Sequence, residues 1–269
     1  MKLAVASIPV WWMAAIRFAI AGTLLWTWCR VRRVPMPSAR EWRDSALTGA
    51  VLLVCGNAVF AWTLQYLPSG IGALVFALSP LWMAVFGFAL YGERIPRLAA
   101  AGLFVGLGGM LFLYSPSGDQ HLPAVPTALA LGTSLTWAFG SMLQRRFKSS
   151  DVVQTSALQM LAASGILIVM ALVSGEQLTA AEFTPSAGGA LAYLVVFGSI
   201  AGFSAFLWLM NNVPTTLAST YAYVNPVVAL AIGTGLLHEP FTWRLGLGAA
   251  VILVGVALMV YATSRAKAT

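Results

Sequence analysis

The chain has 269 residues, of which 59% are hydrophobic and 9% charged, with a formal net charge of +7. Soluble domains run at about 45–50% and about 25%, so no soluble fold hides this much apolar surface. A basic balance also accompanies nucleic-acid binding, but that needs basic residues clustered on one face; here they sit between apolar stretches, which excludes nucleic acid and leaves membrane lipid and a small-molecule substrate as partners.

A bilayer core of about 30 Å needs about 20 apolar residues per helix. Nine such segments occur in chain order: Pro9 to Cys29, Asp44 to Tyr66, Ser69 to Tyr91, Arg97 to Ser115, Pro123 to Gln144, Val152 to Ser174, Ser186 to Met210, Thr215 to Leu237 and Trp243 to Thr263. Lipid offers the backbone no hydrogen-bond partner, so segments of this length and composition are helices, and the alternation of a barrel strand is absent. The expected class is an all-α polytopic membrane protein. Cys29 and Cys55 fall in separate segments without metal-type spacing and are read as inert buried thiols.

Twelve basic residues lie in one set of alternate loops, among them Arg30, Arg32, Arg33, Arg40, Arg43, Arg94, Arg97, Arg145 and Arg146, against Lys2 and Arg244 in the other set. By the positive-inside rule the C-terminus is expected in the cytoplasm and Met1 outside, with the chain in the cytoplasmic (inner) membrane.

Shifting the chain by 146 residues aligns Gly56 with Gly202, Phe60 with Phe206, Trp62 with Trp208, Pro68 with Pro214 and Pro80 with Pro226. Glu93, Gly102 and Gly109 likewise meet Glu239, Gly248 and Gly255, within twelve identities in 54 ungapped positions. Most matches are glycine, proline, tryptophan or glutamate, which fix packing and turns rather than hydropathy. The shift carries the second predicted helix onto the seventh, and an odd shift inverts the unit, as in inverted-topology repeats. Residues 1–115 form the first expected repeat and 123–263 the second, followed by a tail at 264–269. The first repeat has no counterpart for the helix from Pro123 to Gln144, so nine helices are read as a 5 + 5 plan lacking its first helix.

The segments Pro80 to Arg94 and Pro226 to Thr242, each followed by a glycine-rich helix, resemble EamA-type members of the drug/metabolite transporter superfamily. The resemblance covers nearly the whole chain and implies ten helices, alternating access and export of amino acids, metabolites or drugs.

Pro80 and Pro226 stand about eleven residues into their helices, near the expected midplane, where proline deletes a hydrogen bond and kinks the helix. Paired midplane breaks point to a transport site, and Ser79 and Asn225 adjoin them; a packing kink is the alternative. Tyr221 shares a helical face with Asn225, while Asn57, Trp62, Trp137 and Tyr223 are further binding candidates or, for the aromatics, interface anchors. Arg17 lies about 12 Å along its helix, where a cation needs a partner: a backbone carbonyl, a group on the absent helix, or a substrate carboxylate. Gln159 is its loose counterpart in the second repeat. Glu93 and Glu239 stand at helix junctions, where capping is the first reading and proton coupling, with His238, the second. Gly102 with Gly106, and Gly198 with Gly202, are small-x-x-x-small packing pairs.

The expected function is a secondary transporter or facilitator exporting a small metabolite, with amino acids in scope. Facilitated diffusion ranks first because the predicted helices carry no titratable group other than Arg17, which stays charged; protons are the alternative coupling ion. Cationic drug efflux through an aromatic cage and a non-transporting scaffold or receptor are the other readings. No His-Glu-x-x-His or aspartate-rich motif is present, so no enzyme activity, metal or cofactor is expected, and the protein is taken as a monomer or homodimer.

Overall fold

A computed structural model of the chain describes residues 8–67, 72, 75–114, 123–147, 151–179, 184–224 and 243–266. Among these residues there are helices and no strands. We number them α1 (Val10–Val31), α2 (Ala39–Thr63), α3 (Ser79–Tyr91), α4 (Arg97–Tyr114), α5 (Ala124–Arg146), α6 (Val152–Val173), α7 (Pro185–Asn212), α8 (Thr215–Ala218) and α9 (Trp243–Ala266). Four of them, α1, α2, α6 and α7, are long and apolar enough to cross a membrane. In α6 the apolar character runs all round: Leu167 is fully buried, whereas Leu172 and Val173 are 64% and 83% exposed. A helix apolar on its outward face needs hydrocarbon as its solvent.

Helix ends follow local chemistry. Helix α2 starts at Ala39 rather than at the expected Asp44, because Ser38 and Glu41 form a capping box: Ser38 N donates to Glu41 Oε2 at 2.8 Å and Glu41 N to Ser38 Oγ at 3.3 Å. Asp151 accepts from Gln154 N to open α6, and Thr184 does the same for α7. Helix α1 follows Pro9 and has no local side-chain cap. The carboxylate of Glu176, beyond the end of α6, supplies it instead, accepting from Trp11 N at 3.1 Å and Trp12 N at 3.4 Å.

Two predicted helices are interrupted. The third does not kink at Pro80 as expected; it turns at Ala77 and Leu78 and a new helix, α3, starts at Ser79 with Pro80 in its first turn. Proline lacks an N–H and disfavours helical geometry in the preceding residue, but suits a helix start. The eighth predicted helix loosens after Ala218, where Ala222 N and Tyr223 N bond three residues back, to Ser219 O and Thr220 O. The Thr220 hydroxyl competes for the backbone there, donating to Leu217 O at 2.8 Å. Residues 225–242 lie outside the described residues, and with them Asn225, Pro226, His238 and Glu239.

The chain forms two compact units: unit 1 comprises Met1–Tyr66 and Ala128–Asn212, and unit 2 Leu67–Thr127 and Val213–Thr269. Each combines a piece of both sequence repeats. The boundary falls after Tyr66 and again after Asn212, which the 146-residue shift superimposes.

In unit 1, α1 packs along α6, and Gly22 permits the approach: a Cβ there would stand 3.1 Å from Leu161 N. Gly49 does the same for α2 on α6, its Cβ position lying 2.6 Å from Gln159 O. In unit 2, α4 and α9 cross through Gly102, Gly106 and Gly255, with a Cβ on Gly255 falling 2.6 Å from Gly106 N. The Gly102–Gly106 pair thus packs as expected of small-x-x-x-small spacing.

Candidate functional site

Helices α2 and α7 each contain a π-helical stretch, Ala50–Ala58 and Leu194–Ala201. The 146-residue shift places the second stretch on residues 48–55, overlapping the first. Helix of this type is rare and concentrates at functional sites; here it recurs at one place in both repeats.

Arg17, the eighth residue of α1, joins the two stretches within unit 1. Its Nε donates to Ser199 Oγ at 2.7 Å and its Nη1 to Asn57 Oδ1 at 3.5 Å, and the residue is 4% exposed. Gly198 makes room for it, since a Cβ at that position would lie 3.0 Å from Nη2. The Gly198–Gly202 pair therefore accommodates a guanidinium at its first position, not a neighbouring helix backbone. The sequence leaves three expected partners for Arg17, a carbonyl, a group on an absent helix or a substrate carboxylate; among the described residues its hydrogen bonds go to a hydroxyl and an amide. Arg17 takes no part in the ion pairs that Asp44 makes with Arg40 and Arg43.

Beside Asn57 the wall is aromatic. A Cβ on Gly56 would meet Trp137 Cε3 at 3.2 Å, and the Trp137 ring lies 5.1 Å from Phe206, which in turn is 6.0 Å from Phe203. Arg17, Asn57 and Trp137 thus fall in one neighbourhood of unit 1. Trp62 belongs to a different cluster, its ring tilted against Tyr66 at a centroid distance of 4.7 Å and packing against the Ile8 and Met13 core.

Gln159 occupies in α6 the place Arg17 has in α1, the eighth residue of a 22-residue helix. It is fully buried, and its Nε2 donates to Thr48 Oγ1 at 3.0 Å and to Gln144 Oε1. The remaining halves of these amides, Gln159 Oε1 and Gln144 Nε2, have no hydrogen-bond partner among the described residues.

Unit 2 holds Ser79, Pro80, Glu93, Tyr221 and Tyr223. Ser79 is fully buried, and among the described residues neither its hydroxyl nor Trp82 Nε1 one turn on has a hydrogen-bond partner. Tyr221 meets Phe76 edge-on at 6.5 Å. Tyr223 is fully buried against Gly106, its hydroxyl donating to Leu103 O at 3.3 Å. Glu93 folds back over the end of α3: Gly92 ends that helix in the left-handed region at φ 65°, and Glu93 N donates to Gly87 O.

Sequence reasoning missed Ser199, Phe206, Trp82 and Glu176. Ser199 was concealed between Gly198 and Gly202, a small-x-x-x-small spacing that reads as packing alone. Among the described residues no three His, Cys, Asp or Glu side chains gather to hold a metal, and Cys29 is buried whereas Cys55, expected to be buried, faces outward. The arrangement in unit 1 brings together a guanidinium, an amide, a hydroxyl and aromatic rings.

Residues 1–115 and 126–261 match the EamA-like transporter family. The chain belongs to that family. It is 38% identical over 261 residues to the uncharacterized inner membrane transporter YedA of Escherichia coli (strain K12), across 96% of this chain and 84% of that one. To the uncharacterized transporter YvbV of Bacillus subtilis (strain 168) it is 24% identical over 259 residues, across 96% of this chain and 85% of the other. A solved crystal structure superposes with a TM-score of 0.81 over 99% of this chain and 93% of that chain at 20% identity, which shows a shared fold. The resemblance read from the Pro80 and Pro226 segments is borne out, and this EamA-like chain is a membrane transporter.

Proposed function

We propose that this EamA-like protein exports a small metabolite across the cytoplasmic membrane by alternating access, as a facilitator, with its C-terminus in the cytoplasm. The observation that carries this reading is the pair of overlapping π-helical stretches in α2 and α7. A π stretch leaves backbone groups without the regular i−4 pairing and lets a helix change register at small cost. Two such stretches in repeat-related helices give the fold one adjustable segment per repeat, which is what two related conformations require. Proton coupling is not part of the proposal, because Arg17 keeps its charge at any physiological pH.

The test is a solute screen in proteoliposomes of the full chain, run with and without a pH gradient. Flux of at least one metabolite that is indifferent to the gradient supports the facilitator; flux that requires the gradient overturns uncoupled transport, and no flux for any solute overturns transport. Tyr221→Ala and Asn225→Ala are expected to abolish flux at normal expression, and Pro226→Ala to slow it. Normal flux in all three would remove the residues beside Pro226 from the site.

A further inference from the structure

Resting on this transport reading, we infer that Arg17 sets the substrate class: the solute carries a carboxylate that pairs with the Arg17 guanidinium, and cations are rejected. A guanidinium is permanently charged and carries five N–H donors in a fork that matches a carboxylate. Among the described residues Arg17 makes two hydrogen bonds, both to neutral oxygens, Ser199 Oγ and Asn57 Oδ1. A charge removed from water and met by two neutral acceptors and the face of the Phe18 ring, 5.0 Å away, is costly and is paired best with an opposite charge.

Two acidic residues of unit 1, Glu176 and Asp44, are already committed. Glu176 caps α1 at Trp11 and Trp12, and Asp44 is held by Arg40 and Arg43 at the start of α2. Neither is bonded to Arg17, and among the described residues no hydrogen bond or ion pair joins Arg17 to a carboxylate. Asn57, which the guanidinium touches, is half-buried and not sealed. Trp137 packs on the adjacent Gly56, so an apolar body has a flat wall beside the charge.

The same geometry orders related solutes. A monocarboxylate gains the ion pair with nothing opposing it. The amino acid of the same side chain gains it but brings an ammonium for which these residues hold no carboxylate. The corresponding amine brings only like charge. The expected order is therefore anion, then zwitterion, then cation, the reverse of what an efflux protein for cationic drugs requires.

The experiment measures binding to the full-length protein in detergent by isothermal titration. The probes are matched trios: 3-phenylpropionate, phenylalanine and 2-phenylethylamine, and 4-methylpentanoate, leucine and 3-methylbutylamine, each acid also tested as its primary amide. The expected result is binding of at least one acid, with its amide weaker by on the order of tenfold to a hundredfold and no binding of the amine. Arg17→Gln should lose the preference of acid over amide, Arg17→Lys should keep part of it, and Arg33→Gln, on the exposed turn after α1, should leave it intact. Monodisperse elution and an unfolding transition confirm that each variant is folded.

Acid binding that is unchanged in folded Arg17→Gln overturns the assignment, as does amine binding equal to that of the acid, or no binding of any acid. These outcomes leave the transport reading to its own flux screen. A screen without flux alongside Arg17-dependent acid binding would instead overturn transport while the carboxylate site stands.

Discussion

Arg17 and Ser199 lie 182 residues apart in sequence, yet the Nε of one donates to the Oγ of the other at 2.7 Å, tying α1 to the π-helical stretch of α7. Ser199 is fully buried, so no water replaces it when it is removed. Ser199→Ala leaves a buried guanidinium short of an acceptor. Because hydrogen bonds to charged groups contribute about 1.5–3 kcal/mol, a loss of that size is expected, seen as a lower unfolding midpoint of the purified protein. Ser199→Thr, which keeps the hydroxyl, should lose less. An unchanged midpoint in Ser199→Ala would mean that the bond contributes nothing to stability.

Glu176 caps a helix whose Trp11 lies 165 residues before it in sequence. Its carboxylate takes two N–H groups from the first turn of α1, where negative charge is also favoured by the helix dipole, and Trp12 Nε1 donates to its backbone oxygen at 2.9 Å. Glu176→Ala should cost about 1 kcal/mol, typical of a lost cap. The loss should localise: hydrogen exchange at residues 10–13 should accelerate more than at the far end of α1. Uniform acceleration along α1 would contradict a local cap.

Much of the architecture was legible because it rests on length and apolar composition. The expected segments from Pro9, Arg97, Pro123, Val152, Ser186 and Trp243 each coincide with an observed helix to within a few residues. The start of α2 was also readable, from the Ser38-x-x-Glu41 spacing, but the apolar run drew the boundary to Asp44. The break before Pro80 turned on whether a proline bends a helix or starts one, which depends on the packing around Ala77 and Ser79. For the site, the sequence supplied Arg17, Asn57 and Trp137 one by one as polar or aromatic residues in apolar helices. Their proximity, and the part played by Ser199, are tertiary facts. The π-helical stretches had no signature beyond Gly56 and Gly202, because register within a helix depends on neighbours such as Trp137 and Arg17.

Gly255 and Gly108 are both helical glycines of unit 2, and they should respond with opposite sign. A Cβ on Gly255 would stand 2.6 Å from Gly106 N and 2.7 Å from Gly102 O, backbone atoms that move only if α4 and α9 separate. Gly255→Ala is therefore expected to cost about 1–3 kcal/mol, the range for overpacking. Gly108 has nothing within 4 Å of its Cβ position. Gly108→Ala should stabilise by about 0.5–1 kcal/mol through helix propensity. Thermal unfolding of both variants against the parent decides it, and a stabilised Gly255→Ala would mean that the two helices do not meet through that glycine.

Gln144 and Gln159 should show strong coupling. Gln159 Nε2 donates to Gln144 Oε1, and the opposite ends of both amides, Gln159 Oε1 and Gln144 Nε2, are buried without hydrogen-bond partners among the described residues. Removing one amide strands the other, whereas removing both deletes two unmet polar groups together with the bond. Gln144→Met and Gln159→Met, each close to the original volume, are each expected to cost about 1–3 kcal/mol. The double substitution should fall well short of their sum, and a coupling of about 0.5–3 kcal/mol is the usual range for contacting residues. Thr48 tempers the loss at Gln159, because its hydroxyl already donates to Asp44 O at 2.7 Å and loses only a donor to itself. Unfolding midpoints of the two single variants, the double and the parent close the cycle, and strictly additive losses would show that the two amides do not act as a pair.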